Sequence, residues 1–194
     1  MTLMLAGLAI FMAAHVFTTM RQRRGDLMVS LGEVRYKALY SIVSLFGFVL
    51  IVKGYGDYRA GGMIPVWDPP RGLRHLALIL MWPSFVFLVA AYAPAGKLKR
   101  MVKHPMLLAV KIWALAHLLA NGDLGSIVLF GSFLAYAVYD RIAVKKRGED
   151  AAILAYAPTS FGRGDLIALI GGTIAYGAMV KLHGWLIGVS VIGG

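Results

Sequence analysis

The sequence predicts an all-α fold, a polytopic membrane helix bundle with six transmembrane helices and the N-terminus outside. Three observations predict it. Of the 194 residues, 59% are hydrophobic, against about 45–50% in an average soluble domain. The apolar residues gather into six runs, several slightly short of the roughly 20 residues that a spanning helix needs. The basic residues fall between those runs on alternate sides.

The first run is Thr2–Met20. Its positive charges, Arg21, Arg23 and Arg24, follow the apolar core. A cleavable signal peptide carries them before it, so the run reads as a retained helix entering from outside. The second run is Ala38–Tyr55. GDYRAGGMIPVWDPPRG, 56–72, then reads as an outer Gly/Pro loop, with Trp67 suited to the interface. The third run, Leu76–Tyr92, contains Pro83, which should kink it. The fourth is Met106–Ala120, opened by His104-Pro105 in the manner of a first helical turn. Asn121-Gly122-Asp123 is a tight turn into the fifth, Leu124–Tyr139, so the two should form an antiparallel hairpin. The sixth, Leu166–Leu182, carries small residues at Ala168 and Gly172 and, displaced, at Gly171 and Ala175. Two such small-xxx-small pairs allow close helix packing. Before it, EDAAILAYA reads as a short helix on the membrane surface. The apolar tail Trp185–Ile192 is too short to span and should lie along the interface or against the bundle.

Charge tests the count. With the N-terminus outside, the inner segments are 21–37, 93–105 and 140–165, and they hold 14 of the 20 basic residues. Five others fall outside, and Lys111 lies within a span. That is the asymmetry of the positive-inside rule. Five or seven spans would spoil it. The net charge of +11 is thereby explained by topology, and no nucleic-acid partner is needed. There are no cysteines, which removes disulfides, thiolate ligands and cysteine nucleophiles together. No repeat or linker divides the chain, which reads as one membrane domain over 1–194 in contact with lipid.

Ionisable residues inside spans are rare and mark function by default. No Asp or Glu lies deep in any run, which argues against a carboxylate proton relay. His75, His104 and His183 sit near span ends, where a solvated histidine is the plain expectation. Lys111 either snorkels to the inner surface or serves an anion held in the bundle. His15 and His117 lie deeper. Each alone reads as a buried neutral histidine or polar glue between helices. Taken together, their depths differ by about 9 Å at 1.5 Å rise per residue. On helices packed about 8–10 Å apart, their Cα atoms would be on the order of 12–13 Å apart. Two imidazoles on opposite faces of one haem iron need about that separation. Trp113, Ala114 and Asn121 share the face of His117, with Trp113 as a flat wall and Ala114 leaving room.

At these residues the chain resembles the NnrU family of bacterial membrane proteins. The resemblance rests on HPMLLAVKIWALAHLLANGD at 104–123, His15 near the end of the first run, LGEVRYKALYSIVSLFGFVLIVKGYG at 31–56 and APTSF at 157–161. It implies a multi-pass protein of the bacterial inner membrane, associated with expression or function of nitrite and nitric oxide reductases in denitrification. The family is related to zeta-carotene isomerase, a haem b membrane enzyme. That enzyme shares a pattern matched here by Gly32, Glu33, Tyr36, Lys37 and Leu39, and another matched by His104, Pro105, Trp113, Ala116 and His117. The resemblance implies haem b, with His15 and His117 as the iron ligands. Trp113 is then a pocket wall, and Lys111, Arg35 and Lys37 are candidate propionate partners. The isomerase carries a cysteine three residues before its second ligand, where this chain has Ala114. That departure counts against cis–trans isomerisation of a polyene. A methyltransferase of the isoprenylcysteine type also opens a helix with a basic-His-Pro element, but expects an aromatic and a later glutamate that are missing here. A non-catalytic assembly partner of a reductase is a further alternative.

Overall fold

In a computed structural model, residues 1–191 are described, and among them the fold is helical with no strand. In chain order the helices are α1 (Thr2–Thr19), α2 (Arg21–Leu31), α3 (Glu33–Ala60), α4 (Arg71–Tyr92), α5 (Lys97–Val102), α6 (Pro105–Ala120), α7 (Leu124–Lys146), α8 (Glu149–Tyr156) and α9 (Arg163–Ile187). Five of them are long and apolar enough to cross a membrane, and α6 is a shorter apolar helix. Each of the six apolar runs is therefore helical. EDAAILAY, 149–156, is the expected short helix.

Several helix ends lie further out than the apolar runs suggest. α3 continues through Gly56–Ala60, so the expected loop begins five residues later. A Lys53–Asp57 ion pair of 3.0 Å at i,i+4 supports that extension. α4 starts at Arg71, directly after Pro69-Pro70, and runs without a break through Pro83. The first part of the tail is a correction too: Trp185–Ile187 is the last turn of α9, which ends at Gly188 with a positive φ of 79°, while residues 189–191 lie against the helices as expected. Ile192, the last residue of that expected tail, lies outside the described residues.

The chain forms two compact units. The first comprises 1–67 and 123–132, the second 68–122 and 133–194. In the first, α1 lies along α3 so closely that side chains do not fit between them. A Cβ on Gly7 would come within 2.6 Å of the Ile51 amide and 2.8 Å of the Gly47 carbonyl. A Cβ on Gly54 would overlap the backbone of Met4, a residue with no exposed surface. Small residues at a helix seam are how membrane helices gain packing when the apolar effect between them is weak. Gly54→Val should therefore destabilise the protein by about 3 kcal/mol, the upper end for overpacking, because the obstruction is backbone. Gly56 meets nothing within 4 Å, so Gly56→Ala should be neutral or slightly stabilising. Unfolding of the detergent-solubilised protein followed by circular dichroism checks both, and equal midpoints for the two variants would refute the seam. The same unit is closed by Tyr58, whose hydroxyl accepts the amides of Ile64 at 2.9 Å and Gly125 at 3.1 Å. Asp123 caps the start of α7, accepting the Ser126 amide at 2.9 Å.

In the second unit, α4 packs against both α6 and α9. Val86, Ala90 and Ala168 form its buried core. Gly172 sits on the α4 backbone, where a Cβ would come within 2.5 Å of the Val86 Cα. The Ala168/Gly172 pair is thus a packing seam, as its spacing predicts. Polar side chains join these helices: the Ser84 hydroxyl donates to the Ala109 carbonyl at 2.9 Å, and the Tyr176 hydroxyl to the Leu78 carbonyl at 3.1 Å. Asp165, 1% exposed, is the buried carboxylate of this unit. It accepts the amides of Lys97, Leu98 and Gly162 at 2.9, 2.7 and 2.9 Å. One side chain thereby holds the start of α5 and closes the first turn of α9.

Candidate functional site

α4, α6 and α9 line an open cavity of about 860 Å³ at one end of the second unit. That volume lies in the range of small-molecule and cofactor sites, roughly 300–1,000 Å³. Its floor and walls are apolar. Leu78, Met81 and Phe85 come from α4, and Met179 and Val180 from α9. Polar groups gather toward the helix ends: Arg71, Arg74 and His75 in the first two turns of α4, His117 and Asn121 at the end of α6, and His183 near the end of α9. The chain beyond α9 folds back, and Val189 and Ser190 complete the lining.

His117 is half-buried on this wall. Its Nδ1 lies 2.8 Å from the Trp113 carbonyl one turn earlier. A carbonyl only accepts, so Nδ1 carries the proton and Nε2 carries the lone pair. That is the tautomer of an Nε2 metal ligand held by a backbone carbonyl. His183 has the same arrangement, with Nδ1 2.7 Å from the Val189 carbonyl. His15, in the first unit, repeats it, with Nδ1 2.7 Å from the Phe11 carbonyl and its ring stacked on Phe11 at 4.0 Å between centroids. Tyr40 flanks that ring at 5.6 Å.

The other residues singled out by the sequence are placed as follows. Trp113 stands beside the His117 ring at 5.1 Å and packs edge-on against Phe133 at 5.4 Å, but it is not part of the cavity lining and so is not the expected wall. Ala114 is fully buried, so the position of the absent cysteine is filled by packing. Lys111 is half-buried on α6 and is not part of the cavity lining. Arg35 is exposed on the first turn of α3, and Lys37 pairs with Glu33 at 2.6 Å, both well exposed. Neither belongs to the second unit. Sequence reasoning missed Arg71 and Arg74, which read as charges of an outer loop; His75 is exposed near the start of α4, in keeping with its reading as an interface residue. The available signal was spacing: 71, 74, 75, 78, 81 and 85 follow one helical face.

His104 lies elsewhere in the unit. It opens α6 with Pro105 in the first position. Its Nε2 is 3.1 Å from the Asp150 carboxylate, which also takes Arg141 at 2.8 Å and Lys103 at 3.4 Å. Lys103 has a positive φ of 63°, which is unusual for a lysine. Arg100 donates to the carbonyls of Leu154 and Ala157 at 2.6 and 2.8 Å. These contacts bind α8 to the start of α6 and the end of α7. The Arg141 hydrogen bond, followed by the Arg141 and Lys103 charges, holds the Asp150 carboxyl down from its ordinary 3.8 to about 2. A depressed carboxylate stabilises the fold above its ordinary pKa and loses that contribution as pH falls through the folded value. The stability advantage of wild type over Asp150→Asn should therefore shrink as pH falls below about 4. Melting curves at several acidic pH values check this, and an advantage that is unchanged down to about pH 2 would contradict it.

Comparison with curated proteins and with solved structures returned no match. A family model described as NnrU protein matches residues 3–191, almost the whole chain. With five long apolar helices and a sixth shorter one, this chain is a helical membrane protein that belongs to the NnrU family.

Proposed function

We propose that the protein is a haem-b-binding integral membrane protein of the bacterial inner membrane, with His117 as an iron ligand. The observation that carries this reading is the placement of His117 on the wall of a cofactor-sized apolar cavity, its Nδ1 fixed on a carbonyl. The residues fit the group: a neutral imidazole for the iron, Met and aromatic walls for the macrocycle, and arginines at the rim for carboxylates. His15, in the first unit, is held in the same tautomer by the Phe11 carbonyl. The haem would supply one-electron chemistry at iron. The protein's own part is to hold the His117 imidazole in one tautomer and to offer an apolar face to the macrocycle. The setting in this proposal is denitrification, in support of nitrite and nitric oxide reductases.

The test is the absorption spectrum of protein purified in mild detergent from haem-replete cells. Sharp, split visible bands on reduction are expected. A colourless preparation would sink the haem reading. A deletion strain that consumes nitrite and nitric oxide at the wild-type rate would sink the denitrification role.

A further inference from the structure

We infer that Arg71 and Arg74 form a carboxylate clamp at the rim of the α4/α6/α9 cavity and bind the two propionates of the haem. The inference rests on the haem reading above. Three observations lead to it. Arg71, Arg74 and His75 occupy positions i, i+3 and i+4, so they share one face of α4, and all three line the cavity. The same face continues inward as Leu78, Met81 and Phe85. One helix therefore presents a surface that passes from cationic to apolar over about 20 Å, at 1.5 Å per residue. That gradient matches a molecule with an apolar body and anionic groups at one edge. His117 is in the last turn of α6, close to the end of the cavity where the arginines stand. A planar guanidinium is also the side chain best suited to a carboxylate, which it can grip through two parallel N–H donors.

The competing anion is on the page as well. Arg74 is 3.2 Å from Asp68, but that pair is open, with 94% of the Asp68 side chain exposed. Such pairs are weak, so Asp68 can yield Arg74 to a carboxylate at the rim. By contrast, neither Lys37 nor Lys111 lines the cavity. The clamp thus replaces the propionate partners expected from the sequence.

The experiment compares haemin with its dimethyl ester, which keeps the macrocycle and removes both negative charges. Full-length protein from haem-limited cells is titrated with each in detergent and followed by absorbance. Wild type should bind haemin about tenfold more tightly than the ester, the order expected for two partly exposed ion pairs. The Arg71→Ala/Arg74→Ala variant should bind both alike, at about the wild-type affinity for the ester. Arg71→Lys/Arg74→Lys should keep part of the preference. Arg35→Ala/Lys37→Ala and Lys111→Ala should keep all of it. Both arginines are exposed, so their variants should fold, and retained ester binding reports that they have. The clamp is overturned if wild type shows no preference, if the double variant keeps it, or if the preference is lost in the lysine variants instead. If wild type binds neither compound, the haem reading itself fails and the clamp falls with it. If both bind but no preference is seen, the haem reading survives and only the clamp is lost.

Discussion

His117→Ala should lose haem while the protein stays folded. The expected fall in affinity is at least about 100-fold, since even outer-shell partners of a metal ligand are worth 10–100-fold. Folding should survive because the Nδ1 hydrogen bond of His117 runs to its own helix, at Trp113, and alanine is a strong helix former. His75→Ala and His183→Ala are the controls. Both side chains line the same cavity, and in this account neither holds the iron, so each should reduce affinity far less. Titration of the three variants with haemin ranks them, with circular dichroism to confirm helix content. If His183→Ala abolishes binding and His117→Ala does not, the ligand assignment is wrong and the cavity is retained.

The second large effect is on stability. Asp165→Ala should destabilise the protein by about 3 kcal/mol or more, with no direct effect on the cavity. Its carboxylate accepts three backbone amides, and hydrogen bonds to a charged group are worth about 1.5–3 kcal/mol each. Removal leaves part-buried amides without their acceptor, which adds to the loss. Asp165→Asn should recover only part of the loss, because one of its two terminal atoms becomes a donor facing donors. Denaturant or thermal unfolding in detergent measures both variants. An Asp165→Ala midpoint equal to wild type would show that water satisfies the amides and would refute the structural role given to Asp165.

The six apolar helices were legible because length and hydropathy decide whether a segment is stable in lipid. Their ends were not, because helix outside the apolar layer is held by other forces. The Lys53–Asp57 pair extends α3 through a stretch whose glycines and charges read as a loop. Asp165 was passed over for a related reason. An acidic residue in a first helical turn is ordinary, and nothing local shows that its partner Lys97 lies 68 residues away. Half of the glycine packing was legible. The Ala168/Gly172 pair stands on one helix at i,i+4. The Gly7, Gly47 and Gly54 seam is divided between two helices and appears only when they meet. The cavity was the least legible feature. It is assembled from the ends of three helices, and its charged residues fall in positions that hydropathy assigns to loops. The sequence did single out His117, because an imidazole inside an apolar run needs a reason. It could not say that His183 and the α4 arginines share its cavity.

The central claim is that this chain holds one haem b through His117, and native mass spectrometry of the detergent-solubilised protein tests it most directly. Wild type from haem-replete cells should carry the added mass of one haem b per chain, released by gentle activation, and His117→Ala should appear as bare polypeptide. Wild type that appears as bare polypeptide, or a His117→Ala variant that retains the full complement of haem, would contradict the account.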